Sequence, residues 1–200
     1  MADRFRARSI ETTYHLPSDL AIYPSILGVN RQIHTEASHV LYSEHIFDFD
    51  KDVEAVVPFL QDLTTEARSS IKRIHIVKRA LPYLKDFDHC EWRSVCAYLS
   101  DSMELVQLGL GVLGGKPASQ WEAKETYDKS DFYLISRFEG MEWMNQLAAI
   151  KGLQHLDVKA HPQHCPPPMS NAMAFFVTFS ASIESGFAEY LRSEMVLQGA

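Results

Sequence analysis

Leu105-Val106-Gln107-Leu108-Gly109-Leu110 (LVQLGL) is one of three stretches written on a single apolar template. Ile71-Lys72-Arg73-Ile74-His75-Ile76 and Leu153-Gln154-His155-Leu156-Asp157-Val158 repeat it, with large aliphatic residues at the first, fourth and sixth places. The alternation at the end of each stretch predicts a short strand with one buried face. A loop and an apolar-periodic helix follow each strand, and a strand that recurs with an intervening helix favours a parallel sheet. These triplets therefore decide the fold class: α/β, with a short, mainly parallel sheet and helices on one face.

Outward from the triplets, Trp92, Val95, Cys96, Leu99 and Met103 recur at helical spacing. Trp143, Leu147 and Ile150 mark a second helix, closed by Gly152 where left-handed backbone is wanted. Phe176, Phe179, Ile183, Phe187, Tyr190 and Leu191 predict one long C-terminal helix, capped by Ser170 or Asn171. Ahead of the first triplet, Val53, Val56, Val57, Leu60 and Leu63 suggest a short helix. Pro58 is tolerated in a first turn, which places the start near Val57, and Thr64 caps a further turn through Arg68. Gly114 to Ser130 reads as a loop, the stretch with the strongest disorder signal. Ala160 to Ser170 holds four prolines and must be extended.

The form L-x-x-L-x-L resembles the strand of a leucine-rich repeat. The triplets begin at 71, 105 and 153, 34 and then 48 residues apart, so the repeat is degenerate rather than a regular solenoid. An irregular α/β layer, with three short strands similar by chance, is the other reading. Residues 1–22 read as a poorly ordered N-terminal segment and 23–200 as a single α/β domain. Within it, 23–50 form a helical block and 51–200 the repeat-like region.

That block, SILGVNRQIHTEASHVLYSEHIFDFD from Ser25 to Asp50, carries Ile26, Val29, Ile33, Ala37 and Leu41 at helical spacing. A break at Tyr42-Ser43-Glu44-His45 and an aromatic strand, Ile46 to Phe49, follow. The pattern resembles the N-terminal block of a group of fungal F-box-like proteins, with its VNRQIH-EA-LYS signature. The PFLQDLTTEARSSIKRIHI segment and the Trp92/Cys96 helix leading into LVQLGL extend the resemblance over roughly Ile26 to Val158. It implies a protein-interaction module, the substrate-recognition part of a ubiquitin-ligase adaptor, with a Skp1-type adaptor and an unknown protein as partners. The relatives place an F-box helix pair, LPxEIRxxIY, before the block. This chain has His15-Leu16-Pro17-Ser18-Asp19-Leu20 there, and Gly28 stands where they commonly have Arg. Asn30, Arg31, Gln32, Glu36, Tyr42 and Trp92 are the interaction or structural candidates. A guanidinium at Arg31, inside an apolar-periodic segment, is expected to be buried against Glu36, Glu44 or strand carbonyls and to fix the junction with the repeat.

Composition narrows the function classes. The content is 46% hydrophobic and 22% charged, ordinary for a globular protein. Nineteen basic against 26 acidic residues leave a net charge of −7. The tightest basic group, Lys72, Arg73, Lys78 and Arg79, is small, which argues against nucleic acid. Three cysteines, Cys90, Cys96 and Cys165, make no secreted disulfide framework. No apolar run approaches the ~20 residues that span a bilayer, and the N-terminus lacks the apolar core of a signal peptide. The expected site is intracellular, cytoplasmic or nuclear.

Chemistry-bearing patterns are weak, and neither catalytic nor cofactor residues are assigned. Gly109-x-Gly111-x-x-Gly114 matches a dinucleotide fingerprint after a strand, but that mechanism needs a helix N-terminus at once, and Gly115-Lys116-Pro117 follows. His161, His164 and Cys165 supply only part of a zinc set. His34 and His39 are five apart and so on different helix faces. Cys96 sits on an apolar stripe and reads as core. The leading expectation is a non-enzymatic recognition module binding through the sheet edge or the loops after Ile76, Leu110 and Val158. The alternatives are a small nucleotide binder or enzyme using the Gly109 to Gly114 loop, and a homo-oligomer built on exposed aromatics of the last helix.

Overall fold

The computed structural model describes residues 23–79, 86–118 and 125–197. The expectation for 1–22 falls outside them. Four parallel strands, β1 (Phe47–Asp48), β2 (Arg73–Arg79), β3 (Gln107–Lys116) and β4 (His155–His164), lie side by side in chain order. Ile74 pairs with Leu108 and Leu108 with Leu156; one step on, Ile76, Leu110 and Val158 share a row. The triplets are thus in register. All nine of their aliphatic residues are buried, the most exposed, Leu156, at 7%.

Because side chains alternate across a strand, the other face carries His75, Val77 and Arg79 beside Gly109, Gly111 and Leu113, and then Asp157, Lys159 and His161. The aliphatic face is packed by helices. Helix α2 (Val53–Asp62) lies against α4 (Asp86–Ser102), which follows α3 (Thr65–Ser70) and presents Trp92, Val95, Cys96 and Leu99 to the core. The remaining helices are α5 (Lys129–Ile135), α6 (Glu142–Ala148), α7 (Asn171–Ala181) and α8 (Ala188–Met195). With the short segment joining α7 to α8, they bring Phe132, Trp143, Phe179, Phe187 and Tyr190 into one aromatic cluster. Trp92 Nε1–H donates to the Trp143 carbonyl at 3.1 Å, tying α4 to α6.

Several elements differ from their sequence reading, each for a local physical reason. Ile26 lies in a 3₁₀ turn, Pro24–Gly28, and Val29 beyond it; both are exposed. Helix α1 begins only at Arg31, because the Asn30 side chain accepts from Ile33 N–H at 2.9 Å and caps it there. It then runs through Tyr42 and Ser43 to Glu44 without the expected break. Helix α2 starts at Val53 and carries Pro58 in its interior. Burial of Val56 and Leu60 outweighs the lost hydrogen bond. Thr64 caps α3 as expected, accepting from Ala67 N–H, and Gly152 adopts φ +82°.

The region from Gly114 to Ser130 is not all loop: β3 continues through Lys116, and α5 starts at Lys129. Asp128 and Asp131 cap α5 reciprocally. The last helix is not continuous. After α7, capped by Ser170, the chain passes through a π-helical segment, Ile183–Phe187, before α8. Gly186 explains the break. A Cβ there would collide with the Tyr127 carbonyl and the Asp128 backbone, so glycine lets the segment pass under the start of α5.

Candidate functional site

The two edges of the sheet are treated differently. The C-terminal region covers the β4 edge as far as Ala160. Leu153 N–H donates to the Met195 carbonyl, Leu197 N–H to the Leu153 carbonyl, and Ala160 N–H to Glu184 Oε1. Arg192 Nε donates to the Leu156 carbonyl as well. Such covering removes an edge from association with other chains.

The β2 edge is covered only in its first half. Strand pairing with β1 ends at Asp48 and His75, and two more bonds follow: Phe49 N–H to the His75 carbonyl, and Val77 N–H to the Asp50 carbonyl at 2.6 Å. Asp50 then takes φ 44°, and the chain turns away into α2. Among the described residues no further backbone bond reaches this edge, so the Val77 carbonyl and Arg79 N–H face a notch where a longer β1 would have run.

The notch is a cleft of about 300 Å³. Lys51 and Glu54 line one wall, Glu91 and Trp92 the helix side, and Val77 and Leu113 the sheet side. It stands at the carboxyl end of parallel strands, the usual place for a site in an open α/β sheet. Lys78 is 96% buried beside it; its ammonium lies 4.8 Å from the Trp92 ring centroid. Burial, and then the Glu54 carboxylate, hold the Glu91 carboxyl above its ordinary range. Cys96, deeper on the same helix, is pushed up to about 12 by burial against the opposing pull of Lys78.

Beside the notch lies the polar sheet face. His75 Nδ1–H donates to Asp48 Oδ1 at 2.7 Å. The His75 ring leans over Gly109, its Cδ2 2.7 Å from where a Cβ would stand, and the His161 ring leans likewise over Gly111. At both glycines the nearest atoms belong to neighbouring strands, not to helices. The face is thus a glycine floor with His75 and Asp48 on one side and Asp157, Lys159 and His161 on the other.

The predicted site residues separate. Asn30 is the cap of α1, and Gln32 Nε2–H donates to Glu36 Oε1 at 3.0 Å along the same exposed helix. Arg31 is exposed at the first helical position rather than buried. The guanidinium at the junction is that of Arg73, which donates to the Glu44 carbonyl at 2.9 Å. A cation on an exposed C-terminal carbonyl is the cheaper arrangement, since a buried charge needs full pairing. Tyr42 stacks on Phe47, ring centroids 5.8 Å apart, and links α1 to β1. Trp92 alone reaches the notch.

Gly109 to Gly114 lies inside β3, not in a loop, and among the described residues no helix starts directly after it to offer amides to a phosphate. The strands also run past Ile76, Leu110 and Val158, so the expected binding loops begin several residues later. Phe176, Phe179, Phe187 and Tyr190 are buried, so these aromatics do not form an exposed face. Among the described residues no three His, Cys, Asp or Glu side chains are grouped to hold a metal ion, and no helix is long and apolar enough to cross a membrane. The notch itself escaped the sequence reading because Glu54, Glu91 and Val77 are brought together only by packing of α2 and α4 on β2. No protein-family model, curated protein or solved structure matches this chain.

Proposed function

We propose that this chain is a non-enzymatic protein-interaction module that presents the half-open β2 edge and the adjoining polar sheet face to a partner protein. The observation that carries the reading is the asymmetry of the sheet. One edge is covered as far as Ala160 by four hydrogen bonds with the C-terminal region, while among the described residues the other leaves main-chain groups facing a cleft at the strand ends. Uncovered edges are used for strand addition by partner proteins, and repeat-like sheets use one face for recognition. The resemblance of Ser25 to Asp50 to fungal F-box-like proteins supports the same reading and adds a Skp1-type adaptor as a candidate partner.

The test is quantitative capture from fungal lysate by the tagged chain and by a His75→Ala/Lys159→Glu variant, read by mass spectrometry. A partner retained by the native chain and lost by the folded variant is the expected result. A Skp1-type adaptor retained at near-stoichiometric level would place the module in a ligase. Equal profiles for the two proteins would sink the interaction reading. Nucleotide-dependent thermal shifts provide the contrast: a ligand that binds only the native state must raise its melting temperature.

A further inference from the structure

The charges around the cleft are sorted by depth. Glu54 and Glu91 are half-buried in its wall, while Lys51, Asp52 and Arg79 are exposed at its rim. Elsewhere on the surface, neighbouring opposite charges pair, Lys72 with Glu104 and Lys151 with Glu194. Among the described residues, none of the five side chains around the cleft makes an ion pair or a hydrogen bond. Even Asp52, at the N-cap of α2, accepts nothing from the helix. Burial and then Glu54 hold the Glu91 carboxyl up, with no cation offsetting either. The Lys78 ammonium is engaged on the Trp92 ring, and Val77 and Leu113 are covered, so the cleft offers charge rather than apolar surface. A cation alone would leave the two basic side chains of the rim unmatched, and an anion alone would face Glu54 and Glu91. A molecule carrying both signs meets both, because Lys51 and Arg79 outnumber Asp52 at the rim. A volume of about 300 Å³ is at the small end of ligand clefts and suits a molecule of amino-acid size.

We propose that the cleft binds a free amino acid or a similarly short aminocarboxylate, its ammonium directed to Glu54 and Glu91 and its carboxylate to Lys51 and Arg79. This goes beyond the interaction-module reading and does not depend on it.

The experiment is calorimetric titration of the full chain with a panel of free L-amino acids at millimolar concentration. The tightest binder is then compared with its N-acetyl form, which lacks the ammonium, and with its decarboxylated amine, which lacks the carboxylate. Saturable binding by a member of the panel is expected, and each analogue should bind roughly tenfold more weakly, as when a charge-assisted pair is lost. The analogues test the two charges without altering the protein. Glu91→Gln and Arg79→Gln should each weaken the parent amino acid by a similar factor. Unchanged melting temperatures of the two variants without ligand show that the fold is intact. An absence of saturable binding across the panel, an analogue that binds as well as its parent, or equal affinity for the variants would each overturn the proposal. Lysate capture that depends on His75 and Lys159 is read separately, so either inference can fail while the other stands.

Discussion

Helix α1 and the strands β2 to β4 stand at opposite ends of a scale of burial. In α1 no residue is buried; Ile33, Ala37 and Leu41 are half covered and Val40 is 55% exposed. In the strands Ile74, Ile76, Leu108 and Leu110 have no exposed surface. The helix is attached by local devices: the Asn30 cap, the Arg73 hydrogen bond to its last carbonyl, and the stack of Tyr42 on Phe47. The strands are held by helices on the aliphatic face and by each other. A sharply written motif therefore need not be a large contributor to the core. Its polar surface is available for contacts that the buried strands cannot make.

The largest test of this contrast is truncation at matched leucines. Leu110→Ala should cost about 3 kcal/mol, within the usual span for a fully buried leucine. Leu41→Ala, half covered on α1, should cost about 1 kcal/mol by the area it removes from water. Denaturant midpoints measure both, and equal losses would break the comparison.

Alkaline pH sharpens it next. Cys96 titrates near 12 in the folded chain against an ordinary 9.0, so the native state keeps a proton that the unfolded chain gives up. Its contribution is complete below pH 9 and is lost as pH rises toward 12, by about 1.4 kcal/mol per unit. Partly buried Tyr127 and buried Tyr190, both raised chiefly by desolvation, act in the same direction. Cys96→Ala should flatten the decline between pH 9 and pH 10. In the native chain a thiol reagent should modify exposed Cys90 first and Cys96 only on unfolding.

The smallest effect is local. Asn30→Ala should destabilise α1 by about 1 kcal/mol. Hydrogen exchange should show faster amides in Arg31–Glu44 with those of β2 to β4 unchanged. Uniform acceleration would mean that α1 and the sheet unfold as one unit.

How much of this was legible follows from the range of each cause. The triplets were readable because period-two burial is a local property, and their register follows once the strands align. The Thr64 cap and the Gly152 closure were readable for the same reason. Helix α5 was missed among polar and glycine residues, although Asp128 and Asp131 at capping spacing were a signal for it. Pro58 misled because the cost of an interior proline is local while the burial that offsets it comes from α4. Arg31 misled because its neighbours in sequence are apolar but not buried.

Sequence by itself determined the α/β class, the three aliphatic strands and the helix faces built on Trp92, Trp143 and Phe179. Each depends on residues a few positions apart. The tertiary structure alone decided where the last helix bends, because Gly186 answers to the backbone of Tyr127 and Asp128. It also decided that β1 stops after two residues, that the C-terminal region covers the first part of β4, and that Glu54 and Glu91 line one cleft. Those outcomes depend on segments that are distant in the chain and meet only when the sheet is packed.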